Sequence, residues 1–239
     1  MQIKIGLENG FSGRSIAWVL EHPGCFAYGK EGSEAIVRVP QALISYQSWL
    51  QDHSENSWLA SLGDFDVRLE EVFQCYSIND QFDLDPKGHE VNSFFRYDWK
   101  PLSLTEVERG SQLLEWSRID LLEMIHPLSK EQMEHSFSGE RWTIHGILDH
   151  VASGEQWYLN RLGIFGIKND QNDSNIIEKL DTSRQFFYEG IQNFEGNRKV
   201  CGADGELWSA RKVLRRALWH ERDHYQHIQR LMAELPGNL

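Results

Sequence analysis

The 239-residue sequence contains no run of about eighteen consecutive apolar residues, the length that crosses a bilayer as a helix, so no transmembrane helix and no membrane partner are expected. The opening Met1-Gln2-Ile3-Lys4-Ile5-Gly6-Leu7-Glu8 lacks the long apolar stretch of a secretory signal, and the cytoplasm is the expected location. Cysteine is scarce. Cys25, Cys75 and Cys201 stand far apart, are odd in number and form no C-x-x-C pair, which excludes a disulfide framework and leaves them as small apolar fillers in a reducing compartment. Basic residues are also in deficit: 24 Lys+Arg face 36 Asp+Glu, a net charge of −12. The deficit is spread along the chain, 8 basic against 15 acidic residues over 1–100 and 16 against 21 over 101–239. Binding a polyanion usually needs a basic face, so nucleic acid is not an expected partner. One local cluster, Arg211, Lys212, Arg215 and Arg216, reads as a solvated helix face.

What is present changes character near Pro101. Before it, short β-like runs alternate with turn signals. Alternation over 2–7 predicts a strand, Glu8-Asn9-Gly10 a turn, 15–20 a second strand, Pro23-Gly24 a turn and 25–29 a third strand. Ser33 is placed to cap a helix over 34–50, in which Pro40 predicts a kink or break. Residues 67–76 read as another strand, and 78–97 as a polar, turn-rich stretch. The segment Pro23-Gly24-Cys25-Phe26-Ala27-Tyr28-Gly29-Lys30-Glu31-Gly32-Ser33-Glu34-Ala35-Ile36 resembles the HicB-type small α/β domain, with its strand, Pro-Gly-Cys turn, glycine and Glu-Ala helix start. The resemblance covers about the first 50 residues. It implies a partner-binding or packing module, since no fused DNA-binding segment completes an antitoxin.

After Pro101, four amphipathic helices are expected, over 105–124, 143–162, 174–194 and 207–235. His126-Pro127 ends the first, Gly163 and Gly166 the second, and Pro236-Gly237 the last. Four such helices suggest a bundle, and the long loops 126–142 and 163–173 are of a kind that shapes a pocket. The fold class expected is therefore α+β in two domains: a small α/β domain over 1–100 and an all-α four-helix bundle over 101–239.

The last helix carries Leu218-Trp219-His220-Glu221-Arg222-Asp223-His224-Tyr225-Gln226-His227. At about 100° per residue, His224 lies near +40° and His227 near −20° from His220, so all three share a face. Two imidazoles one turn apart can hold one divalent ion, by His220 and His224 or by a pair involving His227; the spacing does not choose. His150, in the second helix, is a candidate third ligand. Glu221 completes the letters H-E-x-x-H of the zincin proteases, but charged Arg222 and Asp223 fill inner positions that zincins bury, and only fifteen residues follow to supply a third ligand.

Three stretches carry a second resemblance: Glu140-Arg141-Trp142-Thr143-Ile144-His145-Gly146-Ile147-Leu148-Asp149-His150-Val151-Ala152, then Leu207-Trp208-Ser209-Ala210-Arg211-Lys212-Val213-Leu214-Arg215-Arg216, then Leu218-Trp219-His220-Glu221-Arg222-Asp223-His224. Together they resemble the DinB/YfiT-like family of metal-binding four-helix bundles, over about residues 103–235. The resemblance implies a divalent metal, zinc or nickel, on His150, His220 and His224, with His227, Trp142, Trp157 and Tyr225 as pocket candidates. Trp219 reads rather as core. Near in sequence, Glu221 and Asp223 are expected to partner Arg216, Arg222 or solvent, with Asp149 and Glu155 as further acidic neighbours. Three imidazoles with an open position suit hydrolysis through bound water or sulfur transfer from a bound thiol. Members of the family are associated with the second, using low-molecular-weight thiols such as bacillithiol or mycothiol. The expectation is a metal-dependent thiol transferase or hydrolase acting on a small molecule, with homodimer pairing through helix faces open. The alternative is a non-catalytic binding or regulatory module with a structural metal, in which the HicB-like domain meets a protein partner.

Overall fold

A computed structural model of the protein describes residues 1–59, 61–166 and 175–235. The chain divides into two compact units, Met1–Lys100 with Val200–Lys212, and Pro101–Lys199 with Val213–Leu239. No described helix is long and apolar enough to cross a membrane.

In the first unit, β1 (Gln2–Phe11), β2 (Arg14–Val19), β3 (Phe26–Gly29) and β4 (Asp66–Gln74) form one sheet in the order β3-β2-β1-β4. Strand β1 runs antiparallel to β2 and parallel to β4, and β2 antiparallel to β3. Helix α1 (Gly32–His53) packs on the sheet through Ala35, Val39, Leu43, Tyr46 and Leu50, a stripe at helical spacing. Three local expectations are corrected. The turn expected at 8–10 is strand; the chain reverses later, at Ser12 (φ 46°) and Gly13 (φ 76°). Glu8 is instead fully buried, accepting hydrogen bonds from Trp18 Nε1 (2.9 Å) and the Ser93 amide (2.7 Å). Ser33 does not cap α1; its hydroxyl donates to Glu31 Oε1 (2.7 Å). Pro40 does not interrupt the helix, because apolar burial along the whole inner stripe outweighs the single hydrogen bond a proline forfeits.

The run 67–76 divides between β4 and β5 (Tyr76–Ile78), and the turn-rich stretch after it contains β6 (His89–Val91), antiparallel to β5, and a 3₁₀ turn at Arg96–Trp99. A further hairpin, β7 (Val200–Ala203) and β8 (Glu206–Ser209), stands where the last helix was expected to begin. Asp204 (φ 50°) and Gly205 (φ 77°) make its left-handed two-residue turn. Helix α6 (Ala210–Ala233) starts only after it, with the Ser209 hydroxyl accepting from the Lys212 amide (3.2 Å). The basic cluster expected to be solvated is buried. Lys212, fully enclosed, donates to Glu206 Oε2 (2.8 Å) and the Leu207 carbonyl (3.0 Å), and Arg211 Nε donates to the Lys100 carbonyl (3.0 Å). Fixed acceptors make such burial tolerable for charged heads that would otherwise stay in water.

The second unit contains α2 (Leu104–Ile125), the one-turn α3 (Lys130–Met133), α4 (Ile144–Asn160), α5 (Ile176–Ile191) and the body of α6. Ser103 and Glu106 form a capping box on α2, Thr143 Oγ1 accepts from the Gly146 amide (3.1 Å) at α4, and Asn175 caps α5. The expected helix start at 174, the loop residues 167–173 and the stop at Pro236-Gly237 lie outside the described residues. Leu121, Ile144, Leu148, Val151, Leu180, Ile228 and Leu231 are among the residues of a shared apolar core.

Each long helix of this unit buries an ionised side chain that faces the other three: Arg118 on α2, Glu155 on α4, Arg184 on α5 and Glu221 on α6. They converge. Arg118 Nη2 donates to Glu155 Oε1 (3.2 Å) and Glu221 Oε2 (2.9 Å); Arg184 Nε donates to Glu155 Oε1 (2.5 Å) and its Nη2 to Glu221 Oε2. Ser183 adds a hydroxyl bond to Glu155 Oε2 (2.6 Å). Two cations and two anions cancel, so the cluster carries no net charge into the core. It joins all four helices at one level, with Glu221 adjacent in sequence to His220.

Candidate metal centre

The expected histidines come together from two helices. His150 stands on α4, and His220 and His224 one turn apart on α6. One ligand nitrogen from each lies within 4.8 Å of the others. The Nε2 atoms of His150 and His220 face one another at 3.0 Å, and the three rings meet edge to face with centroids 4.6 to 5.0 Å apart. Among the described residues this is the cluster of at least three metal-ligating side chains.

The surroundings keep these imidazoles neutral. Burial is the main cause for all three, since it penalises the charged form. His224 is pushed down to about 3, helped by the neighbouring His150 and His227. His220 is held well below the ordinary histidine range, with His224, His150 and Arg216 adding to burial. His150 is lowered by burial and Arg141, with Asp149 opposing. Neutral imidazole is the form that donates a lone pair to a metal. His224 Nδ1 is buried without a hydrogen-bond partner, a polar atom whose burial otherwise has no compensation.

Gly154 makes the close approach of α4 and α6 work. A Cβ there would stand 2.7 Å from His220 Cε1 and 3.0 Å from Nδ1. The His220 ring occupies the space that any other residue at 154 would fill. A glycine inside a helical pattern is the signal that could have identified it.

Trp142 stacks on His150 (4.7 Å, 27°), which places it beside the cluster. Tyr158, not anticipated, sets its ring edge against His220 (5.8 Å). His227 stacks beside His224 (6.1 Å), and its Nε2 pairs with Glu140 Oε2 (3.0 Å). The other two aromatic candidates sit differently. Trp157 is 38% exposed, with Arg161 over its face (3.9 Å) and Tyr158 at its edge (5.2 Å). Tyr225 packs on the apolar core, its hydroxyl pKa raised by burial and by Asp120. Trp219 is buried, in keeping with a core role.

The acidic neighbours are committed elsewhere. Asp149 pairs with Lys179 (2.5 Å). Glu221, expected to meet Arg216, Arg222 or solvent, instead meets Arg118 and Arg184, because its position on α6 turns it into the bundle interior. Glu155 interrupts a stripe of Ile144, Leu148, Val151 and Leu159, and a carboxylate on an apolar face was a legible sign of a buried partner.

Comparison with curated proteins returns no match. Two solved structures resemble the chain. TT2238, described as a four-helix bundle protein, is 20% identical with a TM-score of 0.43, covering 52% of this chain and 98% of its own. YfiT from Bacillus subtilis, described as a probable metal-dependent hydrolase with an unusual four-helix bundle topology, is 15% identical with a TM-score of 0.47, covering 62% of this chain and 95% of its own. The family model of the DinB superfamily matches residues 113–228, a span that contains all three clustered histidines, and this segment of the chain belongs to the DinB superfamily.

Proposed function

We propose that the helical unit holds one divalent transition-metal ion through His150, His220 and His224, and that the protein is a metal-dependent enzyme for a small-molecule substrate. The observation that carries this reading is the convergence of three imidazoles, all disfavoured from protonation, within 4.8 Å. An all-histidine donor set suits zinc and nickel alike. Three protein ligands leave a coordination position to solvent or substrate, and an ion held this way supplies Lewis acidity toward an oxygen or a thiol there. Within this reading the reaction is hydrolysis or thiol-dependent sulfur transfer.

The chain's own residues have definable parts. Trp142 and Tyr158 limit the tilt of His150 and His220 and keep bulk water from their faces. The buried ionic cluster holds α6 in register, so that His220 and His224 point toward α4. The His227–Glu140 pair borders the centre with a group able to hold a proton at Nε2.

For the first unit, the strand-strand-strand-helix-strand order supports a HicB-like module. One observation favours the second reading, a binding protein with a structural metal: the sheet-edge strand β4 exposes Leu69 and Val72, the surface a partner strand could add to. Elemental analysis of the untagged protein beside a His220→Ala/His224→Ala variant tests the metal. About one zinc or nickel per chain in the parent, lost in the variant, is expected. A parent that takes up neither ion after incubation with both refutes the metalloenzyme.

A further inference from the structure

On the reading that the histidine centre holds a divalent ion, its charge balance indicates what it binds. Three neutral imidazoles contribute no charge, so the loaded centre keeps the ion's full positive charge in a largely buried setting. Ligating histidines usually pass their second N–H to a carboxylate, which offsets part of that charge. No described carboxylate hydrogen-bonds any of these three rings, and Nδ1 of His224 has no partner at all. The nearby acids are already engaged: Asp149 is neutralised by Lys179, Glu155 and Glu221 are neutralised by Arg118 and Arg184, and Glu140 Oε2 lies at hydrogen-bond distance (3.0 Å) from His227 Nε2.

The cationic side is reinforced instead. The Arg141 guanidinium lies 4.7 Å from the Trp142 ring, and Trp142 in turn stacks at 4.7 Å on His150. Arg141 is exposed, and among the described residues no carboxylate pairs with it. Stacking holds its charge two ring-widths from the centre while all of its N–H donors remain available. A largely buried, low-dielectric centre with this imbalance favours an anion from solution.

We infer that the substrate is anionic, with a carboxylate or phosphate group recognised by the Arg141 guanidinium while its reacting end occupies the histidine centre. A planar guanidinium suits either oxyanion through paired N–H donors. Arg141 thereby sets specificity and takes no part in the chemistry at the ion.

The test uses the full chain loaded with Co²⁺, whose thiolate absorption reports occupancy of the centre. The probes are 3-mercaptopropionate against 3-mercapto-1-propanol and 6-mercaptohexanoate against 6-mercapto-1-hexanol, so each pair differs only in the distal charge. At least one acid should bind the parent about five- to tenfold tighter than its alcohol, the scale of one partly exposed charge-assisted contact. Arg141→Gln should bring that ratio to about one with the alcohol's Kd unchanged, and Arg141→Lys should keep part of it. Equal binding of acid and alcohol by the parent, failure of both to bind, or an undiminished preference in Arg141→Gln overturns the inference. Absence of Co²⁺ uptake is a separate result that refutes the metal reading beneath it.

Discussion

Replacing Gly154 with alanine sets two effects of opposite sign against each other. Alanine is favoured over glycine inside a helix by roughly 1 kcal/mol, and residue 154 lies in the body of α4, so helix propensity alone predicts a more stable protein. The added methyl, however, would stand 2.7 Å from His220 Cε1 and 3.0 Å from Nδ1. Ordinary carbon contacts begin near ~3.5 Å, so the ring must retreat by roughly 0.5–1 Å. Overpacking of this kind costs about 1–3 kcal/mol, which leaves the metal-free protein within about 2 kcal/mol of the parent. The centre is less tolerant, because metal–ligand distances hold within about 0.2 Å. Zinc affinity is therefore expected to fall by about 10- to 100-fold, the range seen when a ligating histidine loses its support. Competition against a chromophoric chelator measures the affinity, and a thermal melt of the metal-free variant measures stability. A Gly154→Ala protein that binds zinc within twofold of the parent would show that His220 is not positioned as described.

Other consequences follow from the same geometry. Arg184→Met leaves Glu155 and Glu221 short of a cation in the core and should destabilise the helical unit by about 3–5 kcal/mol, read as a lowered denaturation midpoint; a shift below about 1 kcal/mol would remove the cluster's structural role. In the metal-free protein, His224 titrates near 3 when folded and near 6.5 when unfolded, so below pH 6.5 the unfolded chain takes up a proton that the folded one refuses. Stability should fall as pH drops from about 6.5 to 5, by about 1.4 kcal/mol per pH unit for each such histidine, and His224→Gln should flatten that slope; an unchanged slope contradicts the burial of the ring. Zinc at about a thousand times its Kd should stabilise the parent by about 4 kcal/mol, visible as a higher melting temperature that the His220→Ala/His224→Ala variant does not share.

Much of the helical unit was legible because its signals are local. Periodicity placed α2, α4 and α5 closely, and caps such as Ser103 with Glu106 lie within one turn of the groups they satisfy. Ser33 failed as a cap for the converse reason: the backbone enters α1 two residues earlier, at Glu31, where the preceding strand delivers it. The Asp204-Gly205 hairpin was also local and could have been read, as the residue pair that tolerates two left-handed conformations. It was obscured by the helical look of 207–210, which the β7–β8 pairing overrides.

The sequence by itself determined that three histidines lie on two helical segments, and that His220 and His224 share a face, because the helix repeat is a property of the backbone alone. Only the tertiary structure decided that His150 meets them. That contact joins residues seventy apart and depends on how α4 lies against α6, which Gly154 permits and the ionic cluster fixes. The same holds for the charges. Glu155 betrays its burial by standing on an apolar face, but nothing along the chain says that its partners are Arg118 and Arg184 or that Glu221 shares them. Packing puts them out of water together, where each is tolerated only because the others are present.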